Sequence, residues 1–149
     1  GLSASGNTKK WGLDNFLNLA KKLLEKNKCK FYLAVGLQEN ETVKKFENFL
    51  GDHHVSFSNL SIKEILPILA NTDVYVGNDT SFMHLSAAVG VKSFGIFVDS
   101  PAYSYSGYSE RIEAIVPQGE TVFTTTHNTK GKNDISFEEV FNKVNNYLN

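Results

Sequence analysis

Two polar segments of this sequence have the residue types and spacing of an anion-binding site. The first spans residues 3–11 and combines small hydroxyl side chains, Gly6 and the pair Lys9-Lys10 directly ahead of a helical stretch. Hydroxyl and backbone N–H groups can donate to a phosphate, the helix dipole attracts it, and an ammonium group adds a full counter-charge. Taken alone, this segment fits a solvated turn about as well as it fits an anion site.

The second segment, residues 77–84, follows an apolar run at residues 74–76 and precedes another helical stretch. Each of its polar groups has an ordinary interpretation, because Asp79 or Thr80 could be a helix N-cap and His84 could be a hydrogen-bonded core residue. Four polar side chains at a single helix entrance nevertheless favour a binding site. They are Asp79, Thr80, Ser81 and His84.

A third junction, residues 36–41, also ends an apolar run and opens a helix, and it carries Glu39 and Glu41. Acidic residues in a first helical turn ordinarily complement the helix dipole. A carboxylate at such a junction can also accept hydrogen bonds from ribose hydroxyls. Both interpretations of this junction stay open.

The elements that must position these segments alternate along the chain. Apolar spacing and two capping boxes predict helices over residues 14–26, 41–50, 61–69, 81–89 and 136–148. Short apolar runs predict strands over residues 31–35, 54–57, 73–77 and 93–98, with weaker candidates at 112–116 and 121–123. This order predicts one α/β domain over residues 1–149 with a doubly wound, parallel, Rossmann-like sheet. Ligands of such sheets bind beyond the carboxyl ends of the strands, where all three polar segments fall.

Composition limits the classes of function. The 149 residues are 41% hydrophobic and 21% charged with a net charge of −1, so no polyanion is an obvious partner. Arg111 is the only arginine, which argues against nucleic-acid recognition, and the single cysteine, Cys29, favours a reducing, cytoplasmic setting. Residues 1–6 resemble the end of a strand entering a loop, so we expect the chain to be a fragment of a longer protein.

Several common motifs are absent from the sequence. It has neither the G-x-G-x-x-G dinucleotide fingerprint nor the P-loop pattern, and it lacks the G-x-S-x-G turn of α/β-hydrolases. It also has no Asp-x-Asp pair and no His/Cys cluster, so neither a bound metal nor a cofactor is predicted.

Three stretches resemble the carboxyl-terminal half of glycosyltransferase family 9, the lipopolysaccharide heptosyltransferases, which have the two-domain GT-B architecture. Residues 3–11 are similar to the family's hydroxyl loop followed by a basic-basic-Trp entry. Residues 79–90 resemble its Asp-Ser/Thr-Gly-x-x-His-Leu-x-Ala-Ala-x-Gly motif, with Ser81 at the position of the glycine. Residues 95–97, Pro101 and Gly107-Tyr108 are similar to the strand and loop that follow this motif.

The resemblance implies that this chain is the domain that binds a nucleotide-sugar donor. Most of the implied contacts are to the diphosphate, and the others are to the sugar, the ribose and the base. The residues are Ser5, Thr8, Lys9, Thr80, Ser81 and His84 for the diphosphate, Asp79 for sugar hydroxyls, Glu39 or Glu41 for the ribose, and Leu60 and Ser61 for the base.

The implied reaction is inverting, metal-independent transfer of a sugar, with heptose from ADP-heptose expected, to lipopolysaccharide core or a related envelope glycan. The catalytic base and the glycolipid acceptor site are expected in an amino-terminal domain outside this chain, which alone would bind donor without turnover. The full-length protein is expected in the cytoplasm, with peripheral association at the inner face of the bacterial inner membrane. Two alternatives stay open: a GT-B-like sugar-nucleotide epimerase, and a non-catalytic nucleotide-binding or signalling module.

Overall fold

The computed structural model describes residues 1–36, 40–129, 131 and 134–149. Within them the strands are β1 (Phe31–Leu33), β2 (His54–Ser56), β3 (Val74–Asn78), β4 (Lys92–Ile96) and β5 (Ile112–Ile115). The helices are α1 (Leu13–Lys26), α2 (Asn40–Leu50), α3 (Ile62–Leu69), α4 (Ser81–Ala88), α5 (Ala102–Ser106) and α6 (Phe137–Leu148), with 3₁₀ turns at Asn7–Lys9 and Gly51–His53.

The strands form two parallel groups, β1 with β2 and β3 with β4 and β5. Residues 1–2 join the groups, because the Gly1 amino group donates to the Val76 carbonyl at 2.8 Å and the Leu2 N–H donates to the Ala34 carbonyl at 3.2 Å. Gly77 allows this approach, since a Cβ there would lie 2.6 Å from the Cα of Gly1. The resulting order is β2, β1, residues 1–2, β3, β4, β5, with the carboxyl ends of the strands at one edge.

Helices cover both faces of the sheet. One hydrophobic core lies under α1 and α6, where Leu19 and Val144 are buried, and the other lies under α3 and α4, where Met83 is buried. Side chains of β3 alternate between the two cores, with Val74 packing against the first and Tyr75 lying in the second. Burial on both faces explains the nearly continuous apolar runs in the strand sequences.

The predicted α/β fold class is confirmed, and the predicted helices and the main strands form with boundaries shifted by at most two residues. Below residues 1–2, toward the amino ends of β1 and β3, a cavity of about 740 Å³ separates the two groups of strands. No helix in the described residues is both long enough and apolar enough to cross a membrane.

The strand predicted at residues 121–123 is wrong, because these residues belong to a turn. The Thr124 and Thr125 N–H groups both donate to the Thr121 carbonyl, at 3.2 and 3.0 Å, and Phe123 is 71% exposed. Threonine hydroxyls that bond to nearby backbone compete with strand pairing, and the Phe123 ring packs against Tyr103 of α5 rather than into a sheet.

Helix α5 was not predicted, because its sequence Ala-Tyr-Ser-Tyr-Ser contains weak helix formers. The turn at residues 121–125 supports it from outside, since the Ala102 N–H donates to the Thr125 carbonyl at 3.1 Å and the Tyr103 N–H donates to the Val122 carbonyl at 3.0 Å. These bonds give acceptors to N–H groups in the first turn of α5, for which the helix itself has no carbonyl partners. The helix is therefore a product of tertiary contacts.

Candidate functional site

Asn78, the last residue of β3, fixes the loop of residues 3–10 at the carboxyl edge of the sheet. Its side chain is fully buried. The Asn78 Nδ2 donates to the Leu2 carbonyl at 2.9 Å and to the Ser3 carbonyl at 3.4 Å, while its Oδ1 accepts from the Trp11 N–H at 3.0 Å. One amide side chain thus holds both ends of the loop. These bonds also supply the partners that a buried amide needs.

Trp11 anchors the end of the same loop in the core. Its ring is fully buried, lies edge-on to Phe16 with centroids 5.1 Å apart, and its Nε1–H donates to the Ile135 carbonyl at 3.1 Å. A buried indole with a satisfied N–H is a rigid attachment point. The tryptophan of the basic-basic-Trp entry is therefore a structural anchor, and the loop ahead of it carries the exposed chemistry.

The amino-terminal end of α4 lies beside this loop. Thr80 occupies the N-cap position with extended backbone, and within the described residues its side chain makes no capping hydrogen bond. Its hydroxyl lies 3.4 Å from the hydroxyl of Tyr75 instead. Because the first N–H groups of a helix have no partners inside the helix, this end offers donors and a partial positive charge to an anion.

The loop and the helix end share one polar pocket of about 410 Å³. It contains an ammonium group, an imidazole, hydroxyls and one carboxylate. Its lining residues, which define the polar pocket, are Ser3, Ala4, Ser5, Lys9, Asp79, Thr80, Ser81, His84 and Tyr105. The first two polar segments of the sequence therefore meet, and they bring Lys9 and His84 into the same pocket.

The carboxylate and imidazole of the polar pocket are linked to a tyrosine at its rim. The Asp79 Oδ1 lies 3.8 Å from the His84 Nε2, and the His84 Nδ1 lies 2.5 Å from the Tyr108 hydroxyl. The Asp79 side chain is 10% exposed and the His84 side chain 36% exposed. Partial desolvation of the Tyr108 hydroxyl, and secondarily the charge of Asp79, raise the pKa of Tyr108, so its hydroxyl stays protonated.

Thr8, which the resemblance assigns to the diphosphate, hydrogen-bonds to the Asp99 carboxylate and lies outside the pocket lining. The Asp99 carboxylate also accepts from the Asn128 N–H. Burial alone would raise the pKa of Asp99, but the hydrogen bonds from Thr8 and Asn128 and the nearby charges of His127 and Lys9 together lower it. Asp99 thus ties the loop of the polar pocket to the chain around residue 128.

Three other predicted site residues, Glu41, Leu60 and Ser61, lie outside the lining of the polar pocket. Glu41 is exposed in the first turn of α2, and Glu39 lies outside the described residues. Leu60 packs against the second core, and Ser61 begins α3 in the predicted capping box, where its N–H and hydroxyl both donate to Glu64, at 2.8 and 2.7 Å. Glu41, Leu60 and Ser61 follow the carboxyl ends of β1 or β2, at the same edge of the sheet as the pocket.

Sequence reasoning missed Asn78, Tyr105 and Tyr108 as site residues. Asn78 had a signal, because a polar residue that ends a buried strand must have buried partners. Tyr105 and Tyr108 had almost no such signal in the sequence. Tyr105 lies in α5 and Tyr108 follows it, and α5 forms only through tertiary contacts. Among the described residues, no group of three or more His, Cys, Asp and Glu side chains could hold a metal ion.

Comparison with known proteins identifies a family and a fold. A model of glycosyltransferase family 9 (heptosyltransferase) matches residues 2–132. Among solved structures, the chain is similar to the E. coli heptosyltransferase WaaC with ADP at a TM-score of 0.73 and 14% identity, covering 98% of this chain and 42% of that one. It is similar to the E. coli ADP-heptose lipopolysaccharide heptosyltransferase II at 0.78 and 18%, covering 99% and 44%.

A third solved relative is the family 9 glycosyltransferase from Veillonella parvula DSM 2008, with a TM-score of 0.74 and 15% identity over 99% of this chain and 44% of that one. At these identities the likeness concerns the fold. The chain spans less than half the length of the three solved proteins. No curated protein sequence matches the chain.

Proposed function

Because the chain belongs to glycosyltransferase family 9, we propose that it is the donor-binding domain of a transferase that moves heptose from ADP-heptose to lipopolysaccharide core or a related glycan. In this proposal the transfer is inverting and needs no metal. The acceptor and the catalytic base belong to another domain of a full-length enzyme, so this chain binds donor without turnover.

The observation that carries the proposal is the polar pocket itself. Lys9 and the amino-terminal end of α4, which has no side-chain cap, face one space from two different loops, and the His84 imidazole lies in the same lining. Such a set of groups suits a diphosphate, because it offers an ammonium charge together with backbone N–H groups and hydroxyls. Among the described lining residues Asp79 is the one with a carboxylate, which is suited to accept from sugar hydroxyls.

The order of the strands supports a path for the rest of the nucleotide. From the polar pocket at the end of β3, the carboxyl edge passes residues 1–2, then β1 with Glu41, and then β2 with Leu60 and Ser61. Adjacent strands lie about 4.8 Å apart, so β3 and β2 are separated by roughly 14 Å, a span comparable with an extended nucleoside diphosphate. A ribose beside α2 and a base beside α3 fit this order.

The chemistry of transfer explains why these groups are needed. As the bond from the sugar to the diphosphate breaks, negative charge builds on the departing phosphate oxygens. Lys9 and the α4 N–H groups would stabilise that charge where it develops, and each contact of this kind is commonly worth roughly 3–4 kcal/mol in the transition state. Donor binding and leaving-group stabilisation would therefore use the same residues.

Calorimetric titration of the chain with ADP and with UDP tests the proposal. We expect ADP to bind more tightly than UDP, and Lys9→Ala to weaken ADP binding at least tenfold, about 1.4 kcal/mol, because it removes the ammonium charge of the pocket.

The matched control is Lys21→Ala, which removes the same charge from the exposed face of α1. An equal loss of affinity in both variants would mean that Lys9 affects ADP binding only through the net charge of the chain and not by contact with ADP. Absence of ADP binding by the unmodified chain would reject the donor-binding function.

A further inference from the structure

We infer that Tyr108 is a positioning residue, which holds His84 in the tautomer that directs an N–H from Nε2 into the polar pocket. The contact is specific, since the Tyr108 hydroxyl lies 2.5 Å from the His84 Nδ1 and the two rings are tilted by 30° with centroids 5.8 Å apart. Tyr108 itself does not line the pocket, so it can act on a bound anion only through His84.

The tautomer follows from the donors and acceptors of the two side chains. A neutral imidazole has one N–H donor and one bare nitrogen acceptor. Because the raised pKa of Tyr108 keeps its hydroxyl protonated, the hydroxyl can donate to Nδ1, which leaves the proton of the ring on Nε2. Asp79, 3.8 Å from Nε2, attracts a proton at that nitrogen and so favours the same tautomer.

The backbone around Gly107 fixes the position of Tyr108. Gly107 closes α5 with its N–H donating to the Tyr103 carbonyl at 2.8 Å. A Cβ at Gly107 would lie 2.8 Å from that carbonyl oxygen and 2.9 Å from the Tyr103 ring, so a larger residue would displace the chain there. Tyr108 is 63% exposed, and its placement therefore depends on this backbone and on the contact with His84 rather than on burial.

The inference rests on the proposed function, because it assumes that the pocket binds a phosphate-bearing ligand. A neutral His84 fixed in this way presents a directed donor to the anion without first having to take up a proton. Loss of the Tyr108 hydroxyl would let the ring rotate and populate both tautomers. Since one hydrogen bond contributes modestly, we expect Tyr108→Phe to weaken ADP binding about three- to tenfold.

The direct test is ¹⁵N NMR of the histidine rings in the ligand-free chain, with the His84 signals identified by their loss in His84→Gln. We expect the Nε2–H tautomer in the unmodified chain and in Tyr103→Phe, a matched control whose ring contacts Phe123. Tyr108→Phe should give a mixture of tautomers. An unchanged tautomer in Tyr108→Phe would overturn the inference.

A double-mutant cycle with ADP provides the second test. If Tyr108 acts through His84, Tyr108→Phe will weaken binding in the unmodified chain and have no further effect in His84→Gln. An equal loss in both backgrounds would mean that Tyr108 acts independently of His84, which would overturn the inference. Failure of the unmodified chain to bind ADP would reject the proposed function. The NMR result, which needs no ligand, would then be the only test of whether Tyr108 fixes the His84 tautomer.

Discussion

Replacing Asn78 by alanine should destabilise the whole chain and also dismantle the polar pocket. The change deletes the bonds of Asn78 to the Leu2 carbonyl, the Ser3 carbonyl and the Trp11 N–H at a position with no solvent exposure. A buried polar group that loses its partner costs about 1–3 kcal/mol, so the Leu2 carbonyl and the Trp11 N–H together predict a loss of roughly 2–6 kcal/mol. Domains of this size are commonly stable by only about 5–15 kcal/mol.

Urea unfolding followed by the fluorescence of Trp11, the only tryptophan, measures this loss directly. The matched control is Asn71→Ala, because Asn71 also donates to a backbone carbonyl, that of Pro67 at 2.8 Å, but is exposed to solvent. We expect the control to lose less than about 1 kcal/mol, since water can replace the bond.

The same variant connects folding to binding. Asn78 holds the loop that carries Ser5 and Lys9 in place beside α4, so ADP affinity should fall even under conditions where Asn78→Ala remains folded. A loss of stability no larger than that of Asn71→Ala, together with unchanged ADP affinity, would refute the assignment of Asn78 as the residue that positions the loop.

One further prediction concerns stability. Ser136→Ala should cost about 1 kcal/mol, because the Ser136 hydroxyl accepts from the Glu139 N–H at 3.1 Å at the start of α6, and retention of full stability would contradict that capping role.

Local patterns were enough to predict most of the fold. Helix α1 follows from the spacing of Phe16, Leu19 and Leu23, and α6 from a capping box at Ser136, because both signals act within a few residues of the chain. Strands buried on both faces likewise leave a continuous apolar run. The strand predicted at residues 121–123 is wrong because local hydrogen bonds to the Thr121 carbonyl form a turn there, whereas α5 was missed because the bonds that support it come from a segment distant in sequence.

The candidate site divides in the same way. The sequence by itself determined that Lys9, Asp79 and His84 stand at strand-to-helix junctions, since composition and apolar spacing locate such junctions without coordinates. Only the tertiary structure decided that the two loops share one pocket, through Asn78, and that Tyr108 reaches His84 from the turn after α5. The physical reason is that hydrogen bonds spanning 24 to 76 residues of sequence depend on how the chain packs, which local propensity does not encode.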